Sequence, residues 1–191
     1  SEELTVVAQG LAKAFELLAG LFTLVITNVP YLRRGNQCED LRTYIDNAFP
    51  EGKADLATVF LQRCVAFLGP NGTSACVSQQ HFLYLGSYKD LRTHILSKVT
   101  IKFVSRLGPG AFETISGENV TVALSCLTRT LPKGDEIIAH IDAQTGKKPK
   151  DKARLIRSSE IIGLQQDKQS KTPDSRIGFL HETSIPLMER V

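Results

Sequence analysis

From residue 22 to residue 107 the chain alternates between short apolar runs and longer stretches whose apolar residues recur at helical spacing. That alternation constrains the fold more than any other feature. Parallel strands cannot be joined by a tight turn, so strand, helix, strand, helix, strand is the pattern of an α/β sheet with helical crossovers. "FTLVIT", residues 22–27, reads as a strand buried on both faces. "DLATVFLQRCVAFLG" reads as a helix capped by Asp55 that buries Leu56, Phe60 and Phe67. "SACVSQ" is the next strand, and Ser87-Tyr88-Lys89-Asp90 has the form of a capping box opening another helix. "TIKFVSRL" is the strand after that. Residues 118–128 and 135–142 also have strand character, and "TLPKGD" between them predicts a hairpin with an antiparallel edge.

The two ends differ. Leu4, Val7, Leu11, Phe15 and Leu18 fall at steps of three and four, which predicts an amphipathic helix over 3–18 that stops at Gly20. Beyond residue 143 the sequence is rich in Lys, Gln, Ser and Asp and poor in large apolar groups. Composition there predicts a polar linker or extended arm over 144–191, with a short helix around 150–158. The preceding 1–143 would be the folded domain.

Composition narrows the function classes. With 191 residues, 42% hydrophobic and 23% charged, the chain suits a soluble globular protein. A net charge of +3 permits nucleic-acid contact without arguing for it. No apolar run approaches the ~20 residues of a membrane span, and no basic region precedes an apolar one at the start, so a cytoplasmic protein is expected. Cys38, Cys64, Cys76 and Cys126 are widely spaced, which favours reduced core thiols over metal ligands.

The chemistry concentrates where the first strand stops. Asn28-Val29-Pro30-Tyr31 follow Leu24-Val25-Ile26 directly. Proline cannot continue a sheet ladder, so the chain must leave the sheet at Pro30. In open α/β sheets ligands lie beyond the carboxyl ends of strands. An Asn28 side-chain oxygen and the Val29 carbonyl facing that space offer two hydrogen-bond acceptors, and Tyr31 adds a stacking ring. A flat group with an exocyclic NH2, such as adenine, fits that set.

Asn28-Val29-Pro30-Tyr31 after an apolar strand resembles the Asn/Asp-Pro-Pro-Tyr motif of amino-group methyltransferases. Val29 stands where that motif has its first proline, a position that contributes its main-chain carbonyl. The downstream passages "DLATVFLQRCVAFLGPNGTSACVSQQHFLYLGSYKDLR" and "RLGPGAFETISGENVTVALSCLTR" are similar to the large adenine-specific DNA methyltransferases of type IIG restriction enzymes and BREX-type phage-defence systems. The similarity covers roughly residues 15–130.

That resemblance implies a Rossmann-like, S-adenosylmethionine-dependent methyltransferase fold and methyl transfer to N6 of an adenine flipped out of double-stranded DNA, without a metal. It implies that Asn28, Val29, Pro30 and Tyr31 form the catalytic motif, that Asn28 and Phe60 border the cofactor, and that Tyr31 and Phe112 flank the base. Arg33 and Arg34 would lie near DNA phosphates. Other subunits of a restriction or phage-defence system are possible partners. The family also carries a Gly-rich cofactor turn upstream of the motif, which residues 1–21 do not supply, so 1–143 is expected to be part of a catalytic domain and inactive alone. Residues 144–191 would lead towards a DNA-recognition domain.

Several positions keep two readings. Phe60 and Phe112 suit a core as well as a site, Arg33 and Arg34 suit solvated loop positions, and "KKPKDKAR", 147–154, suits a phosphate-contacting strip or a soluble linker. His81 reads as structural. The rival functions are methylation of protein glutamine or RNA adenine, and a non-catalytic DNA-binding scaffold of the same fold.

Overall fold

The computed structural model describes residues 2–113, 120–178 and 185–188. Helix α1, Glu2–Ala19, leads into strand β1, Phe22–Asn28. Helices α2, Glu39–Ala48, and α3, Leu56–Ala66, precede β2, Leu68–Gln79. Helix α4, Lys89–Lys98, leads to β3, Thr100–Gly108, then β4, Val122–Thr128, and β5, Ile137–Asp142. Helix α5, Pro149–Ser158, β6, Ile161–Gln165, the short α6, Gln166–Ser170, and β7, Ile185–Met188, follow.

One sheet joins the described strands in the order β1-β2-β4-β3-β5-β6-β7. β1 runs parallel to β2, and β5 parallel to β3. β4 is antiparallel to both of its neighbours, β2 and β3. The expected hairpin between 118–128 and 135–142 is therefore not formed, although residues 118 and 119 lie outside the described set. β4 has Val122, Ala123, Ser125, Leu127 and Thr128 all buried, a pattern that needs neighbours on both sides. "TLPKGD" is instead a passage to the far side of β3.

One face of the sheet carries the main core. The stripe Ala57, Leu61 and Cys64 of α3 packs there with Cys76 of β2, and Leu91 and Ile95 of α4 join it. Helix α3 thus buries a different stripe from the one expected: Leu56 and Phe67 are only half-buried and Phe60 is exposed. Small residues at Ala57 and Cys64 let the helix lie close to the strands. Asp55 caps α3 as predicted, its side chain accepting from Ala57 N–H. Tyr88, not Ser87, precedes α4 and makes no side-chain cap.

Both ends of the chain depart from expectation. β1 is an edge strand with Leu24 55% and Ile26 73% exposed, so it is buried on one face only. The apolar residues of α1 are exposed along its length. At the other end, 149–178 is no extended arm: β6 pairs with β5, and Leu164 and Ile177 enter the main core. Polar side chains make that possible. Gln166 accepts from Ile101 N–H and donates to the Leu96 and Val99 carbonyls. Arg92, fully buried, donates to the carbonyls of Phe82, Leu85 and Asp174. No helix among the described residues is long and apolar enough to cross a membrane.

Candidate active site

Side chains alternate along β1, so Val25, Thr27 and then Val29 turn to the main core while Leu24, Ile26 and Asn28 turn to the opposite face. Val29 is buried, and its N–H donates to the Val77 carbonyl at 3.1 Å. Pairing with β2 thus continues one residue past the strand and fixes the peptide on which the motif turns. Asn28 is exposed. Neither its side chain nor the Val29 carbonyl takes a hydrogen bond among the described residues.

The register then relates Asn28 to the distant Phe112. Asn28 lies opposite Val77, and Val77 opposite Leu124. Directly paired residues share a face. Val77 and Leu124 pack in the second apolar cluster, with Leu107, Val122, Ala143 and Phe112. Asn28 and Phe112 therefore stand on one face at one rim, although 84 positions apart in the sequence. Phe112 is half-buried in that cluster and also lines an adjoining cleft.

Tyr31 packs its ring against the main core, and its hydroxyl is buried with no partner among the described residues. Burial, and secondarily the nearby Asp55 carboxylate, push its pKa above the ordinary tyrosine value. The loop carrying Tyr31 is clamped to the start of α3. Asp55 Oδ1 accepts from Leu32 N–H at 3.3 Å and from Ala57 N–H at 2.9 Å, and Leu56 N–H donates to the Leu32 carbonyl at 2.9 Å. Arg34 N–H donates to the Ala54 carbonyl. Asp55 is 1% exposed. Leu32 N–H and Ala57 N–H hold its Oδ1, bonds to a charged group being worth about 1.5–3 kcal/mol each, while Oδ2 is buried without a partner among the described residues. The sequence showed Asp55 as a helix cap; its second task, fastening the motif loop, had no signal in spacing.

The remaining predicted residues lie further off. Phe60, 37% exposed, sits on α3, which covers the opposite face from Asn28. Arg33 is exposed, its backbone bridged to Asp55. Arg34 is engaged by Asp46 at 2.7 Å, and that hydrogen bond holds the Asp46 carboxyl below its usual range. His81 meets Thr121 Oγ1 at 3.1 Å and the edge of Tyr84, a structural role.

Sequence reasoning also missed Gln80, buried at the end of β2. Its oxygen accepts from Gly108 N–H at 2.9 Å and its amide donates to Gln144 at 2.9 Å, tying the segments after β3 and β5 together. No group of His, Cys, Asp and Glu able to hold a metal ion occurs among the described residues.

With β4 antiparallel between the mutually parallel β2 and β3, the mixed α/β sheet and its helices match methyltransferase structures. The DrdV–DNA complex superposes with a TM-score of 0.66 at 16% identity over 93% of this chain and 20% of that one. The methyltransferase subunit of a Streptococcus thermophilus type I restriction-modification system gives 0.57 at 15% identity, over 84% of this chain and 38% of that one. Within that class, the Eco57I restriction-modification methylase family matches residues 5–111, and the chain belongs to it. The adenine-specific methyltransferase PglX of Lacticaseibacillus casei (strain Zhang) is 32% identical over 178 residues, 90% of this chain. The adenine-specific methyltransferase BrxX of Escherichia coli O9:H4 (strain HS) is 36% identical over 104 residues, 54% of this chain. The chain spans 15% and 9% of the lengths of these two relatives.

Proposed function

We propose that this chain is the later part of a catalytic domain that transfers a methyl group from S-adenosylmethionine to N6 of adenine in DNA, within a restriction or phage-defence enzyme acting in the cytoplasm. The observation that carries the reading is the exposed Asn28 amide beside an unengaged Val29 carbonyl, on the face and rim that also hold Phe112. Asn28 Oδ1 and the Val29 oxygen each accept one N6–H bond. The adenine amine is a poor nucleophile because its lone pair is delocalised into the ring. Two acceptors on its hydrogens return electron density to nitrogen as positive charge develops there, and they orient the lone pair. As the methyl–sulfur bond breaks and leaves a neutral thioether, the surplus N6 proton would pass from its hydrogen bond with Asn28 Oδ1 or the Val29 oxygen to solvent. Tyr31, its loop clamped by Asp55, and Phe112 flank the base after it leaves the duplex.

The cofactor supplies an electrophilic sulfonium methyl. The residues fit such a group in one respect: Asn28 projects unengaged from the rim, and we assign Phe60 to the border of the cofactor's adenine. The exposed apolar faces of α1 and β1 support the view that further parts of a relative-sized enzyme complete the cofactor site. The chain alone is then expected to bind S-adenosylmethionine weakly and to be inactive; isothermal titration giving micromolar affinity contradicts this.

The test is transfer of tritiated methyl to duplex DNA, RNA and protein by the complete gene product. DNA labelling is expected, and Asn28→Ala should lower the rate about 10²–10³-fold with DNA binding retained, the usual cost of one such interaction. Labelling of RNA or protein instead, or an inert parent enzyme, overturns the reading.

A further inference from the structure

Beside Phe112 lies a cleft of about 410 Å³ lined by Gly110, Phe112, Glu113, Lys147, Lys148, Pro149 and Lys150. Three lysines face one glutamate there. Lys147, Lys148 and Lys150 are exposed, and none has an ion-pair partner among the described residues, whereas Lys13, Lys89, Lys102 and Lys171 do.

The cleft is built rather than incidental. Its walls are the segment after β3 and the segment that leads into the first turn of α5, and several hydrogen bonds hold them in register. Lys152, 2% exposed, donates to the carbonyls of Leu107 and Gly146, stapling the first turn of α5 to the end of β3. Gln80 links Gly108 to Gln144 across the same junction. Gly110 adopts φ +72°, and a Cβ there would stand 2.5 Å from the Lys147 carbonyl, so the two backbones meet at a point only glycine tolerates. A buried lysine is costly unless its donors are used. Here its use is to hold three further lysines around one opening.

We propose that this cleft binds DNA phosphates next to the extruded nucleotide, with Lys147, Lys148 and Lys150 supplying the charge. The inference rests on the DNA reading above and gives it a phosphate-binding surface on this chain. It also reassigns the role expected of Arg34, whose guanidinium is occupied by Asp46. Lysine suits the task as a flexible point charge that follows a backbone without reading bases.

The test is a fluorescence-anisotropy titration of a short labelled DNA duplex against the full chain across a series of salt concentrations. The variant replaces Lys147, Lys148 and Lys150 by alanine; a control of equal charge change replaces Lys53, Lys98 and Lys168. All three positions in the cleft are exposed, and urea midpoints verify that each variant is folded. The cleft variant should bind at least about tenfold more weakly. Its plot of log affinity against log salt should be shallower by about 0.9 for each phosphate that the lysines no longer neutralise. The control should retain the parent slope. Equal weakening in both variants, an unchanged slope in the cleft variant, or no binding by the parent chain overturns the proposal. Failure of the enzymatic reading is seen separately: a complete enzyme that labels DNA, with KM for DNA unaltered by the cleft substitutions, leaves the function standing and removes the cleft.

Discussion

The two ends of the sheet invert the usual relation between composition and burial. The N-terminal end, α1 and β1, is the more apolar by sequence, yet Leu4, Phe15, Leu24 and Ile26 face solvent. The C-terminal end, from α5 to Ile177, is the more polar, yet Lys152, Gln166, Gln169 and Ser175 are buried. The lesson is that an apolar face records a need for cover, whereas a polar segment is admitted to an interior when its donors find carbonyls. Gln166 meets three backbone groups, and Lys152 meets two. Hydrophobic burial stabilises by about 25 cal/mol per Å², without regard to direction, so any apolar partner can satisfy α1. The polar end has one solution.

That contrast can be broken by substitution. The largest effect is expected at Arg92→Leu, which leaves the carbonyls of Phe82, Leu85 and Asp174 without their donor; a loss of about 4 kcal/mol in urea unfolding is expected, since each stranded group costs about 1–3 kcal/mol. Gln166→Leu should cost about 2–3 kcal/mol by the same measurement. If either change is neutral, the polar end is not held as described.

A pH series sharpens the picture next. His140 is buried, donates from Nδ1 to the Val104 carbonyl at 3.1 Å, and is held below its ordinary value of 6.5, chiefly by burial. The unfolded chain therefore binds a proton that the folded chain refuses in the window just below 6.5. This contribution to stability is complete above that value and is lost as pH falls through the lowered folded pKa. Urea midpoints should decline on acidification through this window, and His140→Gln should flatten the decline. The smallest effect belongs to the apolar end. Ile26→Ser should change stability by less than about 0.5 kcal/mol, because the side chain is already in water. A large loss there would mean that α1 or β1 is covered in solution, which sedimentation would reveal as self-association.

Much of the architecture was legible. The alternation of periods located β1, α3, β2, α4 and β3, and the strand-ending Pro30 marked the rim where Asn28 stands. What could not be read was pairing. β4 and β5 look like hairpin partners because a turn separates them, yet burial on both sides draws β4 between β2 and β3. The proximity of Asn28 and Phe112 follows from that register, so motif spacing alone could not show it. Polar burial at 149–178 was hidden for a different reason. Composition scores a glutamine or lysine as surface, and only the neighbouring carbonyls reveal that Gln166 and Lys152 have no need of water.

The position of β4 also shapes the order in which the molecule can assemble. Until Val122–Thr128 has emerged, β2 and β3 have no strand to pair through, and only side-chain packing joins them. The central seam is thus closed by a latecomer whose partners are made well before it, and non-local closure of that kind slows folding. On a ribosome, β2 would wait with one margin bare through the synthesis of α4 and β3, a template for illicit pairing with another nascent chain. Truncation just before residue 122 should leave β2 and β3 with no backbone pairing between them, joined only by helix packing in the main core.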